Sequence, residues 1–126
     1  MYRQIEVDPQ DRQYQMILWR ETNTEPIGLY QLNTVIYSTS AAPYLATRCL
    51  NKLAEDGTLQ YPKAAATVLK ETYIDDIMSV ANSLEAASIL LSDIRKMLSA
   101  AHFDFRKYCA NHPRLLSEIS DKNKEP

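Results

Sequence analysis

The stretch Thr72-Tyr73-Ile74-Asp75-Asp76-Ile77-Met78 decides how the rest of the chain is read. Its aromatic, apolar and β-branched residues favour a strand, and a strand interior is a poor place for two adjacent acids. A β-hairpin over residues 73–81, with Asp75 and Asp76 at or beside its tip, reconciles the two tendencies. Held there, the carboxylates face solvent or a cation. Paired oxygen donors suit Mg²⁺, which takes carboxylate, water and phosphate oxygens and gives up its water reluctantly. Two such ions close together serve phosphoryl or nucleotidyl transfer. A solvated hairpin turn accounts for the same tetrapeptide, so the neighbouring segments must decide.

Downstream, Asn82 reads as an N-cap with Glu85 three residues on. Leu84, Ala87, Leu91, Ile94 and Leu98 then mark one face of an amphipathic helix. Upstream, Tyr61-Pro62 opens a shorter helix that runs through Leu69. An earlier helix begins within residues 40–43, where proline is tolerated in a first turn. Its Leu45, Cys49 and Leu53 fall four apart on one face, with Ala46, Leu50 and Ala54 beside them. Gly57, one of only two glycines in the chain, sits where a helix C′ residue belongs. Residues 2–7, 14–19 and 27–37 read as three strands, the first two separated by the turn Asp8-Pro9-Gln10-Asp11. Residues 103–108 alternate as a further strand. The order gives an α+β fold, an antiparallel sheet with helices packed on one face. One domain is expected over residues 1–119, followed by a polar, disordered tail over residues 120–126.

A chain of 126 residues fits one small domain or a piece of a larger one. Its 45% hydrophobic content supports a core. With 14 basic against 16 acidic residues, it lacks the basic excess of a stand-alone nucleic-acid binder. If it handles nucleic acid, most backbone contacts come from elsewhere. Cys49 and Cys109 form no Cys-x-x-Cys pair, and a reducing intracellular setting, cytoplasmic or nuclear, is the expectation. Cys109 and His112 are spaced like half of a zinc site, without a second half. No apolar run is long enough for a membrane span. Residues 1–7 have no signal-peptide apolar region and read as a strand entered abruptly.

Six further blocks frame the Asp-Asp motif: Tyr2-Arg3-Gln4-Ile5, Asp11-Arg12-Gln13-Tyr14-Gln15, Leu18-Trp19-Arg20, Tyr30-Gln31-Leu32-Asn33-Thr34-Val35, Ala42-Pro43-Tyr44-Leu45-Ala46-Thr47-Arg48-Cys49-Leu50 and Phe103-Asp104-Phe105-Arg106-Lys107-Tyr108. With Tyr73-Ile74-Asp75-Asp76, they make nearly the whole chain resemble the reverse transcriptase of the BEL/Pao group of LTR retrotransposons. Tyr-x-Asp-Asp is shared by reverse transcriptases generally. The Ala-Thr-Arg-Cys-Leu and Arg-Lys-aromatic blocks point to BEL/Pao in particular.

The resemblance implies a partial, ferredoxin-like palm of an RNA-directed DNA polymerase, a nucleotidyltransferase fragment of a retrotransposon polyprotein. Asp75 and Asp76 would be its catalytic, metal-binding carboxylates, holding Mg²⁺ or Mn²⁺, with two ions in the full-length family. The ions would lower the pKa of a primer 3′-hydroxyl and neutralise the leaving pyrophosphate. Tyr73 would support the hairpin and Ile74 would lie near the primer terminus. Tyr2, Tyr37, Ser38 and Pro43 would face the incoming nucleotide, and Lys107 is a candidate proton donor. An ordinary strand aromatic at Tyr2 and a solvated lysine at Lys107 are the plain alternatives. The implied partners are an RNA or DNA template-primer, a deoxynucleoside triphosphate and the remaining polymerase subdomains.

Several positions depart from the family pattern. Its third metal carboxylate belongs before Tyr2 and would fall ahead of Met1. Glu6 is a poor substitute, roughly 13 Å further along a strand. Ser38 replaces a usual glycine, Ser79-Val80 a usual Ser/Thr-Gly, and Ala101-His102 a usual pair of glycines. The expectation is a chain inactive as a polymerase on its own. A non-catalytic interaction domain built on a palm remnant, able to self-associate, is the alternative, because lost neighbours uncover apolar surface.

Overall fold

The computed structural model describes residues 1–37 and 39–125. The chain is mixed α+β and divides into two compact units, Tyr2–Ala46 and Thr47–Pro126, the second also taking in Met1. Among the described residues there are three α-helices and two separate two-stranded antiparallel sheets. The single sheet expected from the sequence is not formed among them.

In the first unit the chain opens with a 3₁₀ turn, Tyr2–Gln4. The expected strand over residues 2–7 is lost because the Ile5 amide donates back to the Tyr2 carbonyl at 3.0 Å. What remains is one antiparallel bridge, Glu6↔Thr34, flanked by Val7 N–H to Asn33 O and Val35 N–H to Ile5 O, both 2.9 Å. The turn at Asp8 forms as read, with the Asp8 carboxylate accepting the Gln10 amide at 2.9 Å, a local bond typical of Asp in turns. A second 3₁₀ turn, Arg12–Tyr14, leads into β1 (Met16–Trp19), which pairs with β2 (Gly28–Gln31) in the register Met16↔Gln31 to Trp19↔Gly28. The segment read as one strand over 27–37 thus serves two partners, pairing first with β1 and then, at Thr34, with Glu6. Ile5, Val35, Ala42 and Ala46 are buried.

Helix α1 spans Ala42–Gly57. Its buried stripe is Ala42, Ala46, Leu50 and Ala54, the i, i+4 row beside the one expected; Leu45 is exposed, and Cys49 and Leu53 are half-buried. Gly57 is the last helical residue and not a left-handed C′, since neither glycine has positive φ. The reason for glycine there is a close approach: a Cβ would lie 2.6 Å from the Met97 Sδ.

Pro62 opens α2 (Pro62–Glu71), with Ala64, Ala65, Thr67 and Val68 buried, against α3 (Leu84–Ser99). Small residues on α2 allow the helices to approach, and Met97 and Leu98 of α3 are 2% exposed. Burying side chains such as Leu98 or Val68 contributes about 1.5–3 kcal/mol each. The N-cap of α3 is Ser83, whose hydroxyl accepts the Ala86 amide at 3.1 Å, one residue later than the sequence reading of Asn82. Ser83 is extended (φ −148°, ψ 161°), as an N-cap must be.

Between α2 and α3 lies the expected hairpin, shorter than residues 73–81. Strands β3 (Thr72–Tyr73) and β4 (Asp76–Ile77) pair as Thr72↔Ile77 and Tyr73↔Asp76. Met78 N–H to Glu71 O, 3.2 Å, extends it by one bond. Ile74-Asp75 is therefore a two-residue loop, and Ile74 takes φ 54°. Tight hairpins need positive φ at the first loop position because only then does the turn match the strands' twist. A β-branched residue there is strained.

Residues 103–108 do not form the expected strand. His102 (φ 59°) and Lys107 (φ 62°) are left-handed, and such residues break an extended run. Only Tyr108 pairs, in a parallel bridge with Lys124. Residues 121–125, read as a disordered tail, hold a 3₁₀ turn, Asp121–Asn123, and that bridge. No helix among the described residues is long and apolar enough to cross a membrane.

Two substitutions test these backbone assignments. Gly57→Ala is expected to lower stability by about 1–2 kcal/mol, because Met97 is buried and overpacking outweighs the gain in helix propensity. In a Met97→Ala background the same change should become neutral or stabilising, a sign reversal readable from urea midpoints. Ile74→Asn, at an exposed site, should stabilise by up to about 1 kcal/mol by relieving left-handed strain; unchanged or lower stability would show that Ile74 is not strained.

Candidate functional site

The tip of the β3–β4 hairpin brings the two acids into place from the sequence upward. Thr72 leaves α2 with its hydroxyl donating to the Val68 carbonyl at 2.6 Å, so the strand starts where the helix stops. The chain reverses within Ile74-Asp75. Asp75 thereby occupies the turn and Asp76 the first position of β4, opposite Tyr73. Tyr73 and Ile74 are about two-thirds exposed, and Asp75 and Asp76 are exposed.

Both acids line a groove of about 1060 Å³ in the second unit. One side is the half-buried face of α3, with Leu84, Ala87, Leu91 and Ile94, the amphipathic stripe read from the sequence. The other draws on residues 105–112 and on Leu115 and Leu116 of the 3₁₀ turn Pro113–Leu116. Lys107 lines the same groove, so three residues singled out from the sequence, Asp75, Asp76 and Lys107, share one concavity. The left-handed backbone at Lys107 is part of the path that brings this segment past the groove.

The groove also takes in Cys109 and His112, the half zinc spacing of the sequence, and Arg106 and Glu125, to which the sequence reading gave no site role. Arg106 was visible beside Lys107; Glu125 was not, because it lies in a segment with no periodicity to place it. Tyr108, also on the groove, is half-buried, and burial pushes its phenol above the usual tyrosine range while Arg95 opposes the shift.

The donor set can be judged as a cation site by its own chemistry. Two adjacent carboxylates on one hairpin tip, open to water, fit one hydrated Mg²⁺, which typically binds through one or two carboxylates and keeps several waters. Among the described residues no group of three His, Cys, Asp or Glu side chains is arranged to hold a metal. Cys109 and His112, half of a zinc spacing, likewise acquire no further ligands there.

The sequence-predicted nucleotide residues lie in the first unit. Tyr2 and Tyr37 meet edge-to-face with ring centroids 4.9 Å apart and planes at 77°, a favoured aromatic geometry. Tyr2 is half-buried in its 3₁₀ turn, Tyr37 is exposed, and Pro43 is the exposed second residue of α1. Ser38 lies outside the described residues.

Comparison with known proteins adds no relative: no protein-family model matches the chain, and no curated protein or solved structure matches it.

Proposed function

We propose that the chain is a reverse-transcriptase palm segment of the BEL/Pao type, a fragment of an RNA-directed DNA polymerase whose Asp75 and Asp76 hold a divalent cation, and that alone it does not polymerise. The observation that carries this reading is the two-residue hairpin loop that puts Asp75 at its tip and Asp76 beside it, on one groove with Lys107. A second observation supports the resemblance. His102, where the family usually carries glycine, adopts φ 59°, the left-handed conformation that glycine takes without strain.

In this reading Asp75 and Asp76 bind Mg²⁺ or Mn²⁺ through carboxylate oxygens and leave its remaining positions to water and phosphate. Bound there, the cation supplies charge neutralisation at a triphosphate and lowers the pKa of an attacking hydroxyl. The resemblance would make Lys107 a proton donor to a leaving pyrophosphate, and would assign Tyr2, Tyr37, Ser38 and Pro43 to the nucleotide in the full-length polymerase. Ile74 lies by the primer terminus. Two exposed carboxylates by themselves hold a divalent cation weakly, since strong oxygen sites gain from ligand number and rigidity. The near-balanced charge agrees with a chain that does not polymerise alone, because grip on a template-primer rests on neutralising many phosphates.

Titration calorimetry with Mn²⁺ is expected to give weak binding, on the order of 10⁻⁴–10⁻³ M as for sparse carboxylate sites, abolished in the Asp75→Ala, Asp76→Ala variant. Identical heats from the two proteins would remove the cation from the account. Primer extension above that variant's background would overturn the inactivity.

One observation favours a second reading, a non-catalytic interaction domain derived from a palm. The β1–β2 ribbon exposes apolar side chains on both faces: Leu18 and Leu29 on one, Trp19 and Tyr30 on the other, each more than half exposed. Exposed apolar surface of this kind marks an interaction site. Sedimentation velocity should then show self-association in the ~10–100 μM range, lost in Leu18→Lys, Trp19→Ser. A monomer throughout that range would discard this reading.

A further inference from the structure

The backbone of Tyr108 is fully paired by a segment that has no apolar side chain to hold it. The Tyr108 amide donates to Asn123 O at 2.7 Å, and the Glu125 amide donates to Tyr108 O at 3.0 Å. These two bonds are the parallel bridge between Tyr108 and Lys124. The segment's own order comes from the 3₁₀ turn Asp121–Asn123, the Asn123 amide donating to Ser120 O at 2.8 Å, and an ion pair from Lys124 Nζ to Asp121 Oδ1 at 2.6 Å. Asp121 is fully open to water, and exposed pairs contribute little to stability.

Its side chains bring little apolar anchorage: Asn123 and Lys124 are half-buried, and Asp121, Lys122 and Glu125 are exposed. Asp121-Lys122-Asn123-Lys124-Glu125 contains no apolar residue, whereas Ile119, just before it, is 4% exposed. Ile119 lines a small cavity together with Leu98, Phe103 and Tyr108, and Asn123 of the segment reaches its edge. Apolar burial therefore ends at Ile119. The pairing is confined to Tyr108, because left-handed Lys107 ends any ladder on its N-terminal side. Glu125, at the far end, lines the groove shared by Asp75, Asp76 and Lys107.

From this geometry we infer that residues 120–125 are a displaceable strap: it hinges at Ile119, closes on the Tyr108 backbone, and on release withdraws the Glu125 carboxylate from the groove. Segments with few apolar contacts and exposed hydrogen bonds open locally, at lower free energy than the core they rest on. The strap is independent of whether Asp75 and Asp76 bind a cation, since none of its contacts involves them.

Amide hydrogen exchange on the full chain tests it. Tyr108 and Glu125 should exchange by local opening, with rates insensitive to low denaturant, while Leu98 in α3 exchanges much more slowly. Glu125→Pro removes the one donor to Tyr108 O, and Lys124 (φ −87°, ψ 145°) already has the backbone a following proline requires. That variant should speed Tyr108 exchange ~5-fold, the loss of roughly one net hydrogen bond, with Leu98 unchanged. Glu125→Gln, which keeps the amide, should exchange like the parent. Equal opening of Tyr108 and Leu98 in the parent, no change at Tyr108 in Glu125→Pro, or a common acceleration at both positions would each overturn the strap.

Discussion

The C-terminal end of α3 is the point on which the second unit depends. Met97 lies so close to Gly57 that no Cβ fits between them, which ties the end of α1 to α3. Leu98 is buried, and its carbonyl accepts the amides of Ala101 and Phe103 at 3.1 and 3.0 Å. Two residues thus fix where one helix arrives, where the next ends and where the chain leaves. Close packing makes such a joint sensitive to single methylene groups. The groove follows from it, since the α3 face from Leu84 to Ile94 is presented only once Met97 and Leu98 have set the helix against α2.

What could be read in the sequence is what local periodicity encodes. The stripe Leu84, Ala87, Leu91, Ile94 and Leu98 forms one face of α3, buried at Leu98 and half-buried along the groove at the other four, and Pro62 opens α2 as a first-turn proline should. The hairpin was legible because adjacent acids between β-formers have few other places to go. Ser83 and Asn82 are equivalent caps by composition, so the choice between them depended on backbone geometry that the sequence does not display. Gly57 was placed at the right helix end for the wrong cause: its neighbour is Met97, forty residues away in sequence, and no local pattern reports such an approach. Residues 103–108 alternate well, yet positive φ at His102 and Lys107 overrides alternation. That is tertiary context winning over propensity.

The candidate site divides along the same line. Asp75 and Asp76 share a hairpin tip because a local turn puts them there, and that much was visible in seven residues. Their company on the groove came from long-range packing. Lys107 arrives from beyond α3, and Glu125 from a polar segment with nothing to suggest a docked position. Two exposed carboxylates, with no third metal-ligating side chain grouped with them among the described residues, suit a cation that keeps its water. They are poorly suited to grip one tightly, because strong oxygen sites gain from ligand number and rigidity. The geometry is therefore better adapted to a weak, water-rich cation than to the closed two-ion clamp that phosphoryl transfer needs.

The distribution of strain argues that these positions keep their side chains for a reason. Left-handed residues cost least as glycine, yet neither glycine here has positive φ, while Ile74, His102 and Lys107 do. Both glycines instead sit where a Cβ would collide, Gly28 with its own Tyr30 ring and Gly57 with Met97. Of the three strained residues, Ile74 adjoins the acid pair and Lys107 itself lines the groove. Each left-handed non-glycine residue costs about 1–2 kcal/mol, a sizeable share of a small domain's stability. At Lys107 glycine would relieve that strain but remove the one ammonium this segment brings to the groove. Strain persists where the surrounding structure over-determines it and tends to gather at sites of function. In this chain Lys107 lies on the groove that Asp75 and Asp76 line and Ile74 adjoins it, while His102 lies elsewhere.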